Sequence, residues 1–111
     1  MAKHYMYVLA CADQTLYTGY TTDLKRREKA HQSGKGAKYT RPASRRPCAM
    51  VFAKAFSSRQ AATQAEYRFK QFSRAEKIKR LKAYGVSDFH YRPGISCQRV
   101  GLDDDYNRER R

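Results

Sequence analysis

The apolar and polar positions of the chain change period along its length. Residues 4–10, His4-Tyr5-Met6-Tyr7-Val8-Leu9-Ala10, are rich in strand formers, and so are residues 15–20, Thr15-Leu16-Tyr17-Thr18-Gly19-Tyr20. Only Ala12-Asp13-Gln14 and their neighbours lie between, so a β-hairpin is the natural connection. Side chains alternate across a strand, which places Tyr5, Tyr7 and Leu9 on one face and pairs Tyr17 with Gly19 on one face of the second strand. If position 12 centres the turn, Tyr7 sits opposite Tyr17. A register shifted by two leaves the tyrosines diagonal on the same face, and a shift by one separates them.

The pattern then becomes helical. Thr22 is expected to cap a helix over residues 23–33, with Asp23 suited to its first turn and Gly34 as its stop. Leu24, Arg27 and His31 fall on one face, Arg27 and His31 one turn apart. Residues 34–46 read as a basic loop or short turn of helix, and residues 48–56 as a third strand just after Pro47. Ser57 with Gln60 matches a capping box, followed by a stripe of Ala62, Ala65, Phe69 and Phe72. Ser73 with Glu76 matches a second box, opening a helix from near Arg74 to near Tyr84 that Gly85 ends. The order β-β-α-β-α-α describes an α+β fold, a small sheet with helices packed on it. Residues 86–111, with Pro93, Gly94, Gly101 and the run Asp103-Asp104-Asp105, read as a flexible C-terminal tail beyond a domain of residues 1–85.

Composition narrows the class. A chain of 111 residues makes one domain with a small core, and 41% hydrophobic content with nine Tyr and five Phe is not that of a disordered chain. The net charge of +14 predicts attraction to polyanions, nucleic acid first and an anionic membrane surface second. Residues 1–85 carry 19 Lys+Arg against 5 Asp+Glu, whereas residues 86–111 carry five of each, so the binding surface belongs to the first part. Cys11, Cys48 and Cys97 are odd in number and far apart, which argues against a disulfide framework or a zinc site. With no apolar run approaching the roughly 20 residues of a membrane span and no signal-peptide pattern, the simple expectation is a cytoplasmic protein with reduced thiols and no membrane partner.

The candidate chemistry lies in five residues. Tyr7 and Tyr17 are either a cross-strand pair that stabilises the sheet or phenols placed near a phosphate. A free phenol titrates near 10, so it serves as a base only beside a cation, which Arg27 would supply if it faces the hairpin. Arg27 and His31 are either a solvated basic face or, since they share the sector of Leu24, groups turned towards the sheet that need a partner or ligand. Glu66 is either the i, i+4 partner of Lys70 or a ligand for a divalent cation completed by water and phosphate oxygens. Phenols, guanidinium, imidazole and carboxylate in a basic chain suggest phosphodiester hydrolysis. The stretch Gly34-Lys35-Gly36-Ala37-Lys38-Tyr39-Thr40-Arg41 follows a helix and lacks the Gly-Lys-Ser/Thr ending, so it is no P-loop. Lys35, Lys38, Tyr39 and Arg41, with Arg45 and Arg46, are instead candidates for touching a nucleic-acid backbone. His4 and His90 read as structural or solvated, and the aspartate run as a solvated acidic cluster.

Taken together, the pattern resembles the GIY-YIG endonuclease superfamily, and most closely its small stand-alone bacterial members. Tyr5-Met6-Tyr7 matches the first signature, Tyr17-Thr18-Gly19 the second, and Thr22-Asp23-Leu24-Lys25-Arg26-Arg27 with His31 looks like the helix that follows. Glu66 falls at the acidic position, and the Gly-Ala-Lys-Tyr-Thr stretch is shared. The first signature keeps only its tyrosine, the second has Thr18 in the middle, and the late-helix Asn of many members is missing, Asn107 being the single Asn of the chain. The resemblance implies a three-stranded antiparallel sheet with flanking helices and metal-dependent hydrolysis of DNA or RNA with Mg²⁺ or Mn²⁺, in DNA repair or nucleic-acid processing. It implies Tyr17 as general base or orienter of the water, and Tyr7 as its support or a phosphate ligand. Arg27 would stabilise charge on the phosphate, His31 would hydrogen-bond within the site and relay a proton, and Glu66 would hold the metal. Sequence specificity is expected to be low unless a protein partner supplies it. The alternative is a non-catalytic nucleic-acid-binding module on the same fold.

Overall fold

The structure is a computed structural model that describes residues 3–101, apart from the side chain of Tyr39. The elements run β1 (His4–Cys11), β2 (Leu16–Thr21), α1 (Leu24–Gln32), β3 (Cys48–Phe56), α2 (Arg59–Lys70), α3 (Arg74–Ala83) and β4 (Gln98–Val100). Two short 3-10 turns, Lys38–Thr40 and Ala43–Arg45, lie between α1 and β3.

The sheet order is β2-β1-β3-β4, so β1 is an inner strand with a neighbour on each side. Both of its faces are covered, and residues 6–11 are all buried. Met6, Val8 and Ala10 enter one core with Val51, Phe52, Phe69 and Leu81. Tyr7, Leu9 and Cys11 enter a second core on the other face with Leu24, Cys48 and Met50. The period of two expected of β1 therefore holds on both faces. A bulge in the β1–β3 pairing beside Val8 and Leu9 leaves Val51 as the extra residue, so Val51 and Phe52 both reach the first core.

The hairpin register puts Tyr7 opposite Gly19 and Leu9 opposite Tyr17. This is the diagonal arrangement, with both tyrosines on the face of the second core. The α1 cap is Asp23 rather than Thr22: β2 extends to Thr21, whose hydroxyl accepts from the Asp23 N–H, and the Asp23 carboxylate accepts from the Arg26 N–H. Ser58, not Ser57, caps α2, because the chain is still bending out of β3 at Ser57 and the Ala61 N–H meets the Ser58 hydroxyl. Ser73 caps α3 as expected.

The larger difference is at the C-terminal end. The sheet has a fourth strand, β4, which pairs parallel with β3, so the sheet is mixed rather than purely antiparallel. Val86 and Val100 are buried in the first core, with Phe89 and Ile95 packed against it. Residues 86–101 thus belong to the fold rather than to a tail. A three-residue strand carries no period, and Pro93 and Gly94 beside it pointed to a loop. The Asp103-Asp104-Asp105 run and the rest of the expected tail lie outside the described residues. No helix among the described residues is long and apolar enough to cross a membrane.

Candidate active site

Five elements or their connections converge on the second core. α1 is seated on β3 by side chains that bond to backbone: the Glu28 carboxylate accepts from the Met50 N–H at 2.8 Å, and the Gln32 amide bonds both the N–H and the carbonyl of Cys48. These contacts, with buried Leu24, turn the Arg27–His31 face towards the sheet. Sequence reasoning passed over Glu28 and Gln32 because in isolation they look like solvated helix residues.

At the centre is the Tyr7 hydroxyl. It lies 2.6 Å from His31 Nε2 and accepts a hydrogen bond from Arg27 Nε at 3.2 Å. On the far side of the imidazole, Nδ1 is 2.8 Å from the Thr40 hydroxyl. Tyr7, His31 and Thr40 are all 0% exposed, so no face of this chain of bonds is wet. The Tyr17 ring completes the cluster at 5.3 Å from the His31 ring and 6.4 Å from Tyr7, itself only partly buried.

Glu66 arrives from α2, which packs against β1 and β2. Its carboxylate is 2.9 Å from Lys70 Nζ, which in turn lies 5.6 Å from the centre of the Tyr17 ring. Glu66 is 19% exposed, enough to reach solvent while remaining close enough for its charge to act on Tyr7. Tyr7, Tyr17, Arg27, His31 and Glu66, spread over sixty positions, are thereby gathered at one place. The Glu66–Lys70 pair and a placement beside the tyrosines are both present, so the two readings of Glu66 do not exclude each other.

Burial sets the protonation of the centre. It pushes the Tyr7 phenol up to about 12, against the opposing pull of the Arg27 hydrogen bond. It lowers His31 to about 4, with the Arg27 charge adding to the effect. At neutral pH the site therefore holds a phenol and a neutral imidazole. The sign of the linkage follows. The contribution of His31 is full above its ordinary 6.5 and is lost as the pH falls towards 4. That of Tyr7 is full below 10 and is lost as the pH rises towards 12. Melting curves from pH 8 to pH 4 are expected to show a fall in Tm below about 6.5 that is smaller in His31→Gln. Identical pH profiles of the two proteins would contradict a buried neutral imidazole.

Two glycines give the cluster its room. A Cβ on Gly19 would stand 2.4 Å from the Tyr7 hydroxyl oxygen, so the glycine of the second signature is there because the ring of its cross-strand partner lies over it. A Cβ on Gly36 would stand 2.6 Å from His31 Nδ1. The sequence marks Gly36 and Thr40 as the ends of the shared Gly-Ala-Lys-Tyr-Thr stretch in a basic loop and assigns neither a part in the site.

Of the six candidates for backbone contact, the five lysines and arginines separate into two groups. Lys35 lines a cleft of about 370 Å³ together with Arg26, Arg27, Thr21, Thr22 and Asp23. Lys38 and Arg41 are exposed. Arg45 instead donates to Asp13 at 3.1 Å and ties the hairpin turn to the loop, and Arg46 donates to the Arg41 carbonyl and packs beside Gly34. The side chain of Tyr39 lies outside the described residues. Among the described residues no group of three or more His, Cys, Asp or Glu is placed to cage a metal ion. Glu66 offers one hard carboxylate, a donor that suits an ion otherwise held by water and phosphate oxygens.

Comparison with known proteins agrees with this architecture. A family model of the GIY-YIG catalytic domain matches residues 3–80. The UPF0213 protein of Lactiplantibacillus plantarum is 54% identical over 84 residues, which cover 76% of this chain and 83% of the relative. The UPF0213 protein SH2523 of Staphylococcus haemolyticus is 49% identical over 82 residues, 74% of this chain and 98% of the relative. The solution structure of the protein EF2693 from E. faecalis is similar with a TM-score of 0.55 at 44% identity, covering 83% of this chain and 96% of that one.

Proposed function

The chain belongs to the GIY-YIG catalytic domain family, and from that premise we propose that it is an endonuclease that hydrolyses phosphodiester bonds in DNA or RNA with low sequence specificity. The observation that carries this reading is the convergence of Tyr7, Tyr17, Arg27, His31 and Glu66 beside a cleft lined by Arg26, Arg27 and Lys35. A module that only bound nucleic acid would have no use for a carboxylate beside its phosphates.

Exposure and hydrogen bonding support a division of roles. Tyr17 is the phenol with access to solvent, so it orients the attacking water or takes its proton. Tyr7 is sealed from solvent and acts from behind: by accepting from Arg27 Nε it holds the guanidinium at the cleft, where the remaining donors meet charge that develops on the phosphate. This assigns Tyr7 an anchoring role in place of direct contact with water or phosphate. His31, neutral, offers a nitrogen lone pair inside the hydrogen-bonded cluster. Glu66 would hold Mg²⁺ or Mn²⁺, whose contribution when bound is to neutralise charge on the leaving oxygen.

The direct test is a cleavage assay on supercoiled plasmid, single-stranded DNA and RNA with Mg²⁺, Mn²⁺ or EDTA. Cutting that requires the cation and disappears with EDTA is expected, and no cutting of any substrate with either cation counts against the proposal. Binding is expected to weaken steeply with salt. Replacing Lys35, Lys38 and Arg41 together by alanine is expected to reduce the slope of log affinity against log salt by about 2–3, one unit or slightly less per phosphate contact. A slope unchanged in the triple variant would place the phosphates elsewhere.

A further inference from the structure

Thr40 ends the shared Gly36-Ala37-Lys38-Tyr39-Thr40 stretch, to which the sequence assigns no role in the site, and its side chain is fully buried against His31. The chain reaches it by a tight path. The Gly34 N–H donates to the His31 carbonyl and the Lys35 N–H to the Ala30 carbonyl, with Gly34 at a φ of 80°, so the end of α1 turns back over its own last turn. Gly36 then passes directly over the imidazole, and the 3-10 turn Lys38–Thr40 returns the Thr40 hydroxyl to Nδ1. Segment 34–40, read from the sequence as a backbone-contacting loop, also straps the imidazole in place.

The donors and acceptors have one complete assignment. Arg27 Nε can only donate, so the Tyr7 oxygen accepts from it. The Tyr7 proton then needs an acceptor inside a dry site, and His31 Nε2 at 2.6 Å provides it. A neutral imidazole with Nε2 accepting carries its hydrogen on Nδ1, which donates to the Thr40 oxygen. The Thr40 proton is taken by the Ala37 carbonyl at 3.3 Å. In the opposite tautomer Nε2–H and Arg27 both donate to the Tyr7 oxygen, and the phenol proton is left buried without an acceptor.

We propose that Thr40 is a positioning residue for the reaction: its hydroxyl oxygen accepts the Nδ1–H of His31, fixes the tautomer, and keeps the Nε2 lone pair turned to Tyr7. In this arrangement Nε2 does not compete with Arg27 for the Tyr7 oxygen, so the guanidinium stays anchored. The inference rests on the functional reading above, since without hydrolysis the tautomer has nothing to serve.

The test compares wild type, Thr40→Val and Thr40→Ser by ¹⁵N chemical shifts of the His31 ring at neutral pH, by cleavage rate, and by nucleic-acid affinity. The wild type is expected to show hydrogen on Nδ1. Thr40→Val, similar in shape but unable to accept, is expected to lose the single-tautomer pattern and to cut about 10- to 100-fold more slowly, by analogy with the loss of a group that orients a metal-bound imidazole. Its affinity should stay at the wild-type value, and Thr40→Ser should recover both ring shifts and rate. Hydrogen on Nε2 in the wild type overturns the proposal even if Thr40→Val fails to fold. Wild-type rates in a folded Thr40→Val overturn it as well. A wild type that carries hydrogen on Nδ1 but cuts nothing overturns the functional reading and with it the positioning role, while the tautomer assignment stands.

Discussion

Glu66→Gln is expected to lower hydrolysis by orders of magnitude while leaving nucleic-acid binding intact or slightly stronger. The substitution keeps size and helix propensity but removes the carboxylate whose charge acts on Tyr7, and with it the charge that would hold a divalent cation. It would also remove a repulsive charge near the phosphates of a bound nucleic acid, so affinity is expected not to fall. Loss of fold does not account for such a result. Among the described residues the ion pair given up is the partly exposed one with Lys70, worth about 0.3–0.5 kcal/mol for an i, i+4 pair. Tyr17→Phe, which deletes a single hydroxyl, is expected to act in the same direction. Cleavage and binding measured side by side on variants with matched circular dichroism decide the matter. If wild type, Glu66→Gln and Tyr17→Phe all cut equally, the activity comes from a contaminant and the non-catalytic binding module becomes the better reading.

The second large effect is expected at a residue with no functional group. Gly19→Ala would set a methyl group 2.4 Å from the Tyr7 hydroxyl oxygen and 2.5 Å from the ring carbon that bears it. The ring cannot swing aside, because it is fully buried and its hydroxyl is bonded to both Arg27 and His31. Either the hairpin separates or the ring shifts and the Tyr7–His31 and Arg27–Tyr7 bonds break. Overpacking of this kind costs about 1–3 kcal/mol, which for a domain of this size lowers Tm by about 4–20 °C. Because the displaced ring is also the anchor of Arg27, cleavage is expected to fall further than the stability loss alone would cause. Thermal melts and rates at a temperature where the variant is fully folded separate the two effects. A Gly19→Ala protein with wild-type Tm and wild-type rate would show that the ring does not lie over position 19.

Local patterns foretold much of this molecule. The boundaries of β3 agree with those read from the pattern, and Ser73 and Gly85 bound α3 as expected, because capping and glycine stops act within one turn of chain. The caps of α1 and α2 moved by one residue, to Asp23 and Ser58, since adjacent hydroxyl and carboxylate side chains compete for the same N–H groups and the exit of the preceding strand decides between them. The register of the hairpin was open to three possibilities, and the structure takes the diagonal one. β4 was missed because a short strand beside a proline and a glycine is stabilised by the edge of β3 it joins, not by its own residues.

The amino-acid sequence by itself determined the alternation of side chains along β1, the helical face shared by Arg27 and His31, the concentration of positive charge in residues 1–85, and the family signatures that carry the five candidate residues. These depend on periodicity, on counts and on residue identities that match a known family, all of which a chain displays whether folded or not. Only the tertiary structure decided that Tyr7 is sealed while Tyr17 reaches solvent, that Arg45 is tied to Asp13 while Lys35 lines the cleft, that Gly19 and Gly36 make room for rings from other elements, and that Thr40 meets His31. The physical reason is the same in each case: burial and hydrogen-bond partnership belong to pairs of residues distant in the chain, and such pairs exist only once the strands and helices have packed.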